Sequence, residues 1–490
     1  MEINDKIKAE RNEAWREELR KSMKNKERAA IPRVKMPELD PGYRSRSYDE
    51  VNCGLSLEQA LTEAKRCLDC PDPACMKGCP VGINIPKFIK NIERNNIAEA
   101  AATLKETSAL PAVCGRVCPQ EKQCEGLCIH LKMSGEAVAI GYLERFAADN
   151  AGEESAKERR TVQDCNGLKI AVIGSGPAGL SFAGDMIKSG YDVTVFEALH
   201  EIGGVLKYGI PEFRLPNNIV DREIESLKNL GVKFITNCII GKTISYNELL
   251  EQGFRGIFIA TGAGLPNFMN IPGENLSGVL SSNEYLTRIN LMGANRSDTD
   301  TPVYFGKNVA IIGGGNTAMD SVRTARRLGA ERAMIVYRRS EEEMPARVEE
   351  IKHAKEEGVI FMNLNNPIKY IGDEKGRVKQ MVLQKMELGE PDASGRRRPV
   401  EIPGATETVD VDLVVVAIGV SPNPLIPSAF DGLQVSKWGT IIVNQETLET
   451  DLPDVFAGGD IIRGGATVIL AMGDGRKAAA EMQKKLEIEN

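Results

Sequence analysis

A chain of 490 residues exceeds one ordinary core and points to about three. With 42% hydrophobic and 27% charged residues it has the make-up of a globular protein, and its net charge of −7 offers no cationic excess for neutralising nucleic-acid phosphates. No run approaches the roughly 18 apolar residues of a membrane helix, Leu413–Val420 being only strand-length, and Met1–Ala30 has charge of both signs where a secretory signal has an apolar stretch, so a cytoplasmic location is expected.

In chain order, residues 1–50 read as a charged helix followed by an extended, proline-punctuated arm, Ile31–Pro41, that is either a solvated tail or a docking segment. Residues 51–165 read as a small α-helical domain, with helices over Leu57–Lys65, Ile85–Asn91 and Ile97–Lys105 and few β-branched runs. This segment carries Cys67-x2-Cys70-x4-Cys75-x3-Cys79-Pro80 and Cys114-x3-Cys118-Pro119-x4-Cys124-x3-Cys128. Thiolates two to five residues apart can converge on one metal centre, whereas most such neighbours cannot form unstrained disulfides. Eleven cysteines in a reducing compartment suit a metal protein, and this spacing resembles that of ferredoxins. Zinc is the alternative, although its sites pair two short knuckles. Cys53, Cys165 and Cys238 read as isolated thiols, and His130, His200 and His353 show no ligand spacing.

A polar linker, Ala151–Gly167, leads into an apolar strand and then Gly174-Ser-Gly176-Pro177-Ala178-Gly179 before a helix, the context of a dinucleotide fingerprint. Pyrophosphate would meet free N–H groups at the helix N-terminus. The next strand, Asp192–Phe196, ends at Glu197, placed to accept hydrogen bonds from ribose hydroxyls. Ile257–Gly262 reads as a buried strand, and a second strand–loop–helix unit follows at Asn308–Ile312 with Gly313-Gly-Gly315-Asn316-Thr317-Ala318. Its next strand, Ala333–Tyr337, runs into Arg338-Arg339 instead of an acid. Cations there suit a 2′-phosphate, so NADP(H) is expected over NAD(H), with Arg347 within reach.

Several long motifs then carry a resemblance: Gly203-Gly204-Val-Leu-Lys-Tyr-Gly-Ile-Pro-Glu-Phe-Arg-Leu-Pro216, Gly313–Asp320, Val336–Arg339 and Asp454-Val-Phe-Ala-Gly-Gly459-Asp460. Over residues 50–490 the chain resembles the small (β) subunit of NADPH-dependent glutamate synthase. It is also similar to the N-terminal module of dihydropyrimidine dehydrogenase and to the large subunit of NADH-dependent ferredoxin:NADP oxidoreductase. The resemblance implies an α/β fold with an N-terminal helical iron–sulfur domain and two Rossmann-like domains. Their expected limits are 166–295 and 421–490 for FAD, with the NADPH domain, 296–420, inserted. It implies that Asp460 bonds the ribitol chain and that Gly464–Val468, including Thr467 and Val468, presents N–H groups and a helix end to the flavin ring.

The same resemblance implies two interleaved [4Fe–4S] clusters. Cys67, Cys70, Cys75 and Cys128 would hold one; Cys79, Cys118, Cys124 and Glu144 would hold the other, with Cys114 as the alternative to Glu144. NADPH would pass a hydride to FAD, and electrons would leave singly through the clusters, with no acid–base residue required. No length remains for an (β/α)8 barrel, and no cysteine follows Met1 as a glutaminase nucleophile, so a partner would complete glutamate synthesis. That partner is expected to be a large FMN-containing glutamate synthase subunit, making L-glutamate from 2-oxoglutarate and glutamine. The alternatives are a small ferredoxin-reductase-like partner, which would make this the nicotinamide subunit of an electron-bifurcating or sulfide-oxidising complex, and a zinc-stabilised nucleotide-binding module without turnover.

Overall fold

The computed structural model describes residues 3–152, 163–393 and 395–489. The expected linker, Ala151–Gly167, lies mostly outside them.

The charged N-terminus forms three short helices, Ile3–Arg11, Ala14–Ser22 and Asn25–Ala30, because Glu13 and Met23 adopt extended backbone. It is no solvated tail. Arg16 and Arg20 both pair with the fully buried Asp69, and Arg28 pairs with Glu93 at 2.8 Å. Asp69 has φ +52, a strained value for a non-glycine residue that its two arginines help to hold. The following arm is tied down by Leu39 N–H to the Val51 carbonyl (2.9 Å) and Cys53 N–H to the Pro37 carbonyl (2.8 Å).

Helices Leu57–Arg66, Ile85–Glu93, Ile97–Lys105, Pro111–Val117 and Ile140–Asp149 build the cysteine-bearing part. Each of the first three begins on a side-chain cap: Ser56 accepts from Gln59 N–H, Asn84 from Lys87 N–H and Asn96 from Glu99 N–H. The last two cross closely, since a Cβ on Gly115 would stand 2.5 Å from the Arg145 nitrogen.

The first parallel sheet runs Val455–Ala457, Phe254–Ile259, Lys169–Ile173, Asp192–Phe196, Lys233–Ile235. Its central strands are buried on both faces, which accounts for their continuous apolar runs. Its core merges with that of the cysteine-bearing helices, from Val113 through Phe182 to Met482. The second parallel sheet runs Val279–Ser281, Leu413–Val416, Asn308–Ile312, Arg332–Tyr337, Ile360–Asn363. It therefore begins earlier than residue 296, where the sequence placed this unit. A three-residue edge strand is too short for its periodicity to register.

A two-stranded antiparallel ribbon, Ala263–Pro266 with Val420–Pro422, joins the two nucleotide units. Against the second sheet packs an antiparallel sheet, Asn365–Gly372, Val378–Pro391, Arg397–Asp410, the last two strands forming a long hairpin.

Candidate redox centres and dinucleotide cavity

The eight cysteines and Glu144 sort into two neighbourhoods. Cys67, Cys70, Cys75 and Cys128 act on one another electrostatically. Cys79, Cys114, Cys118, Cys124 and Glu144 do the same. Burial pushes the Cys67 thiol up to about 12 and the Cys79 thiol up to about 11. Thiols so resistant to ionisation become ligands only with cations in their midst. Among the described residues, no three of these sulfurs lie within 4.8 Å of one another.

Glu144 lies on the Ile140–Asp149 helix and is buried, and its Oε1 has no hydrogen-bond partner. Burial, with the nearby Glu223 adding, raises its carboxyl to about 8. An orphaned buried carboxylate oxygen beside these thiols fits a ligand of the second centre. Cys114, also fully buried, is hydrogen-bonded with the Cys118 thiol and has its Sγ 3.4 Å from Met472 Sδ.

A continuous cavity of about 1930 Å³ spans both nucleotide units. It is lined by Gly174, Gly176, Pro177, Ala178, Glu197 and Gly204 on one side and by Gly313, Gly315, Asn316, Thr317, Arg338 and Arg339 on the other. Gly459, Asp460, Thr467 and Val468 complete the wall. Gly179 is not in the wall: a Cβ there would stand 2.0 Å from the Gly174 carbonyl oxygen, so its lack of one lets the helix pack against the loop. A Cβ on Gly176, in contrast, would meet nothing within 4 Å, leaving room for a phosphate at the Pro177–Lys188 helix N-terminus.

Glu197 is held rigidly. Its Oε2 accepts from Ser175 N–H (2.9 Å) and Ser175 Oγ–H (2.6 Å), and its Oε1 accepts from Leu199 N–H (2.8 Å). Ser175 Oγ in turn accepts from Gly203 N–H (2.9 Å), linking the first loop to the Gly203-Gly204 turn. Burial raises the Asp460 carboxyl to about 6, against a hydrogen bond from Ala466 N–H at 3.1 Å. These groups fit a bound dinucleotide.

Sequence reasoning missed Ser175 and Met472, whose positions depend on contacts distant in sequence. It also placed Arg347 near a 2′-phosphate, whereas its side chain is buried and turned away. Nη1 donates to the Arg116 carbonyl and Nη2 to Gln120 Oε1, both at 2.8 Å, so Arg347 ties the second nucleotide unit to the Cys118 loop. Val117 and Pro119, flanking Cys118, line the cavity. The helix whose first turn walls the cavity meets Cys114 through Met472 and Pro80 through Gly473. The second thiol set thus shares its supports with the cavity wall.

Two dinucleotide folds sharing a cavity, with one thiol set behind its wall and another beyond, define an oxidoreductase that carries its own iron–sulfur centres. The comparisons agree. Residues 44–156 match the family described as dihydropyrimidine dehydrogenase domain II, 4Fe-4S cluster, and residues 168–475 match the pyridine nucleotide-disulphide oxidoreductases. The chain is 37% identical to the glutamate synthase [NADPH] small chain of Azospirillum brasilense, covering 91% of this chain and 93% of that one. Identity to the Escherichia coli (strain K12) glutamate synthase [NADPH] small chain is 36%, over 94% and 98% of the two chains. The beta subunit of an NADP(+)-dependent formate dehydrogenase from Moorella thermoacetica is 39% identical, over 84% of this chain and 60% of that one. Among solved structures, Mycobacterium tuberculosis FprA in complex with NADPH shares the fold at TM-score 0.55 and 20% identity, over 66% of this chain and 85% of that one. The chain belongs to the glutamate synthase small-chain family.

Proposed function

We propose that this chain is an NADPH-oxidising electron-transfer subunit of glutamate synthase type. When bound, FAD accepts hydride from NADPH, and two [4Fe–4S] clusters carry electrons one at a time. The chain's own residues bind and orient these groups. The glycine loop at 174–179 and Glu197 would hold the pyrophosphate and ribose of FAD, Gly204 its close approach, and Gly459-Asp460 its ribitol. The Thr467-Val468 helix end stabilises negative charge at the flavin ring. Gly313, Gly315, Asn316, Thr317 and the Arg338-Arg339 end would serve NADPH.

Cys67, Cys70, Cys75 and Cys128 would ligate one cluster, and Cys79, Cys118, Cys124 and Glu144 the other. The observation that carries this reading is the shared wall: Cys118 stands between two cavity-lining residues. The first set faces outward, with Cys70, Cys75 and Cys128 half-buried and Leu127, Ile129, Leu131 and Met133 exposed around Cys128. Contiguous exposed apolar side chains suit a protein partner, and we assign that face to the electron-accepting subunit.

Anaerobically purified protein should show flavin and iron–sulfur absorption that NADPH bleaches. Absence of either chromophore would defeat the reading. Co-purification of a large FMN-containing amidotransferase, lost in Leu131→Glu, is the expected result. A small ferredoxin-reductase-like partner in its place would move the chain to the bifurcating alternative.

A further inference from the structure

The structure separates the two arginines at the end of the Arg332–Tyr337 strand. Both border the cavity, but Arg338 is exposed, whereas Arg339 is buried and its guanidinium bonds to the hairpin. Arg339 Nε donates to the Arg397 carbonyl (2.8 Å), and Nη2 pairs with Asp392 (2.8 Å). Its own carbonyl accepts from Leu364 N–H at 3.1 Å. Asp392 and Arg397 close the hairpin turn, which is pinned by Asp392 N–H to the Arg396 carbonyl (2.8 Å) and Arg396 N–H to Asp392 Oδ1 (3.3 Å). Arg397 is itself paired with Glu343 at 3.1 Å.

Between those two anchors stands Arg396, a half-buried residue that lines the same cavity as Arg338. Each is one residue removed from the Arg339–Arg397 contact, so that contact sets their relative position. Arg347 faces the cysteine-bearing loop and is not available there.

We infer that Arg338 and Arg396 together recognise the 2′-phosphate of the dinucleotide, one from a strand end and one from the hairpin, and that Arg339 is a positioning residue holding the hairpin turn in place. The inference rests on the reading of this cavity as an NADPH site. Guanidinium groups match phosphate oxygens bidentately, and a 2′-hydroxyl would leave both without that partner. Preference for the phosphorylated dinucleotide thus resides partly in a hairpin remote in sequence from the glycine loop.

The test is calorimetric titration of the full-length, cofactor-loaded protein with 2′,5′-ADP and with 5′-AMP. The wild type should favour 2′,5′-ADP. Arg396→Gln should weaken 2′,5′-ADP by about 10- to 100-fold, the range for charge-assisted hydrogen bonds, and leave 5′-AMP unchanged; Arg396→Lys should recover part of the loss. Arg339→Met should weaken 2′,5′-ADP in the same direction, and adding Arg396→Gln to it should cost little more, because the hairpin arginine is already displaced. An unchanged visible spectrum would show that the cofactors and their surroundings are intact. A wild-type preference that survives Arg396→Gln overturns the inference. Additive losses in the double variant overturn the positioning role of Arg339. Equal binding of the two ligands by the wild type overturns the NADPH reading itself.

Discussion

Replacing Glu144 by Gln should have opposite effects on the iron-loaded and iron-free protein. In the loaded protein the amide is a poorer iron ligand than the carboxylate, so iron should fall from about eight toward about four per chain, with loss of one reduced-cluster signal. In the iron-free protein the carboxyl is a liability. Burial raises it from the ordinary 4.5 to about 8, so at pH 7 the folded chain keeps a proton that the unfolded chain releases. A raised carboxyl pKa destabilises the fold above the unfolded value, and the cost over the interval from 4.5 to 7 is about 3 kcal/mol. Iron-free Glu144→Gln should therefore be more stable than iron-free wild type by up to about 3 kcal/mol, less whatever the new amide donors lose in burial. Iron analysis with low-temperature EPR measures the first effect, and anaerobic urea unfolding of the iron-free pair measures the second. Unchanged iron and EPR signals would refute ligation by Glu144. An iron-free variant no more stable than wild type would refute the account of its burial.

Cys114→Ser should retain both clusters, whereas Cys118→Ser should lose one; iron content that falls equally in both would make Cys114 the fourth ligand. Glu197→Gln should weaken FAD by roughly 10-fold, since it replaces one charged acceptor by a neutral one, as read from flavin retained on desalting. For Glu350 and Glu357, burial by itself would raise both carboxyls, but Arg323, with Arg214 for Glu350 and Arg327 for Glu357, outweighs it and holds each at about 2. Depressed values stabilise the fold above the unfolded value of 4.5, by on the order of 3 kcal/mol for each group, and that stability is lost as pH falls from 4.5 toward 2. Glu357→Gln should flatten the acid limb of the urea midpoint against pH. Arg327 also donates to the Ser47 carbonyl, at 2.8 Å, so Arg327→Met should speed proteolysis within residues 38–52. An unchanged cleavage pattern would free the arm from this anchor.

The parts of the site that were legible in the sequence are those whose chemistry is local. A glycine loop needs its strand before and helix after, and Glu197 follows one strand later; a few consecutive residues specify both. The cysteine spacing likewise announced metal centres. Their division into two sets came only from a family resemblance, and in the structure Cys114 shares the electrostatic neighbourhood of Cys79, Cys118 and Glu144. The fates of single charged side chains were not legible, because nothing within a few residues decides them. Arg339 turns to Asp392, 53 positions away, and Arg347 to Gln120, 227 positions away. The charged N-terminus left a solvated tail and a docking segment equally open, and only the structure shows Arg16 and Arg28 almost fully buried against partners in the cysteine-bearing part. Backbone pattern and short-range spacing thus suffice for the loops and strands that bind phosphate. Which buried cation meets which carboxylate depends on tertiary packing, since desolvation makes an unpaired charge too costly and the partner can lie anywhere in the chain.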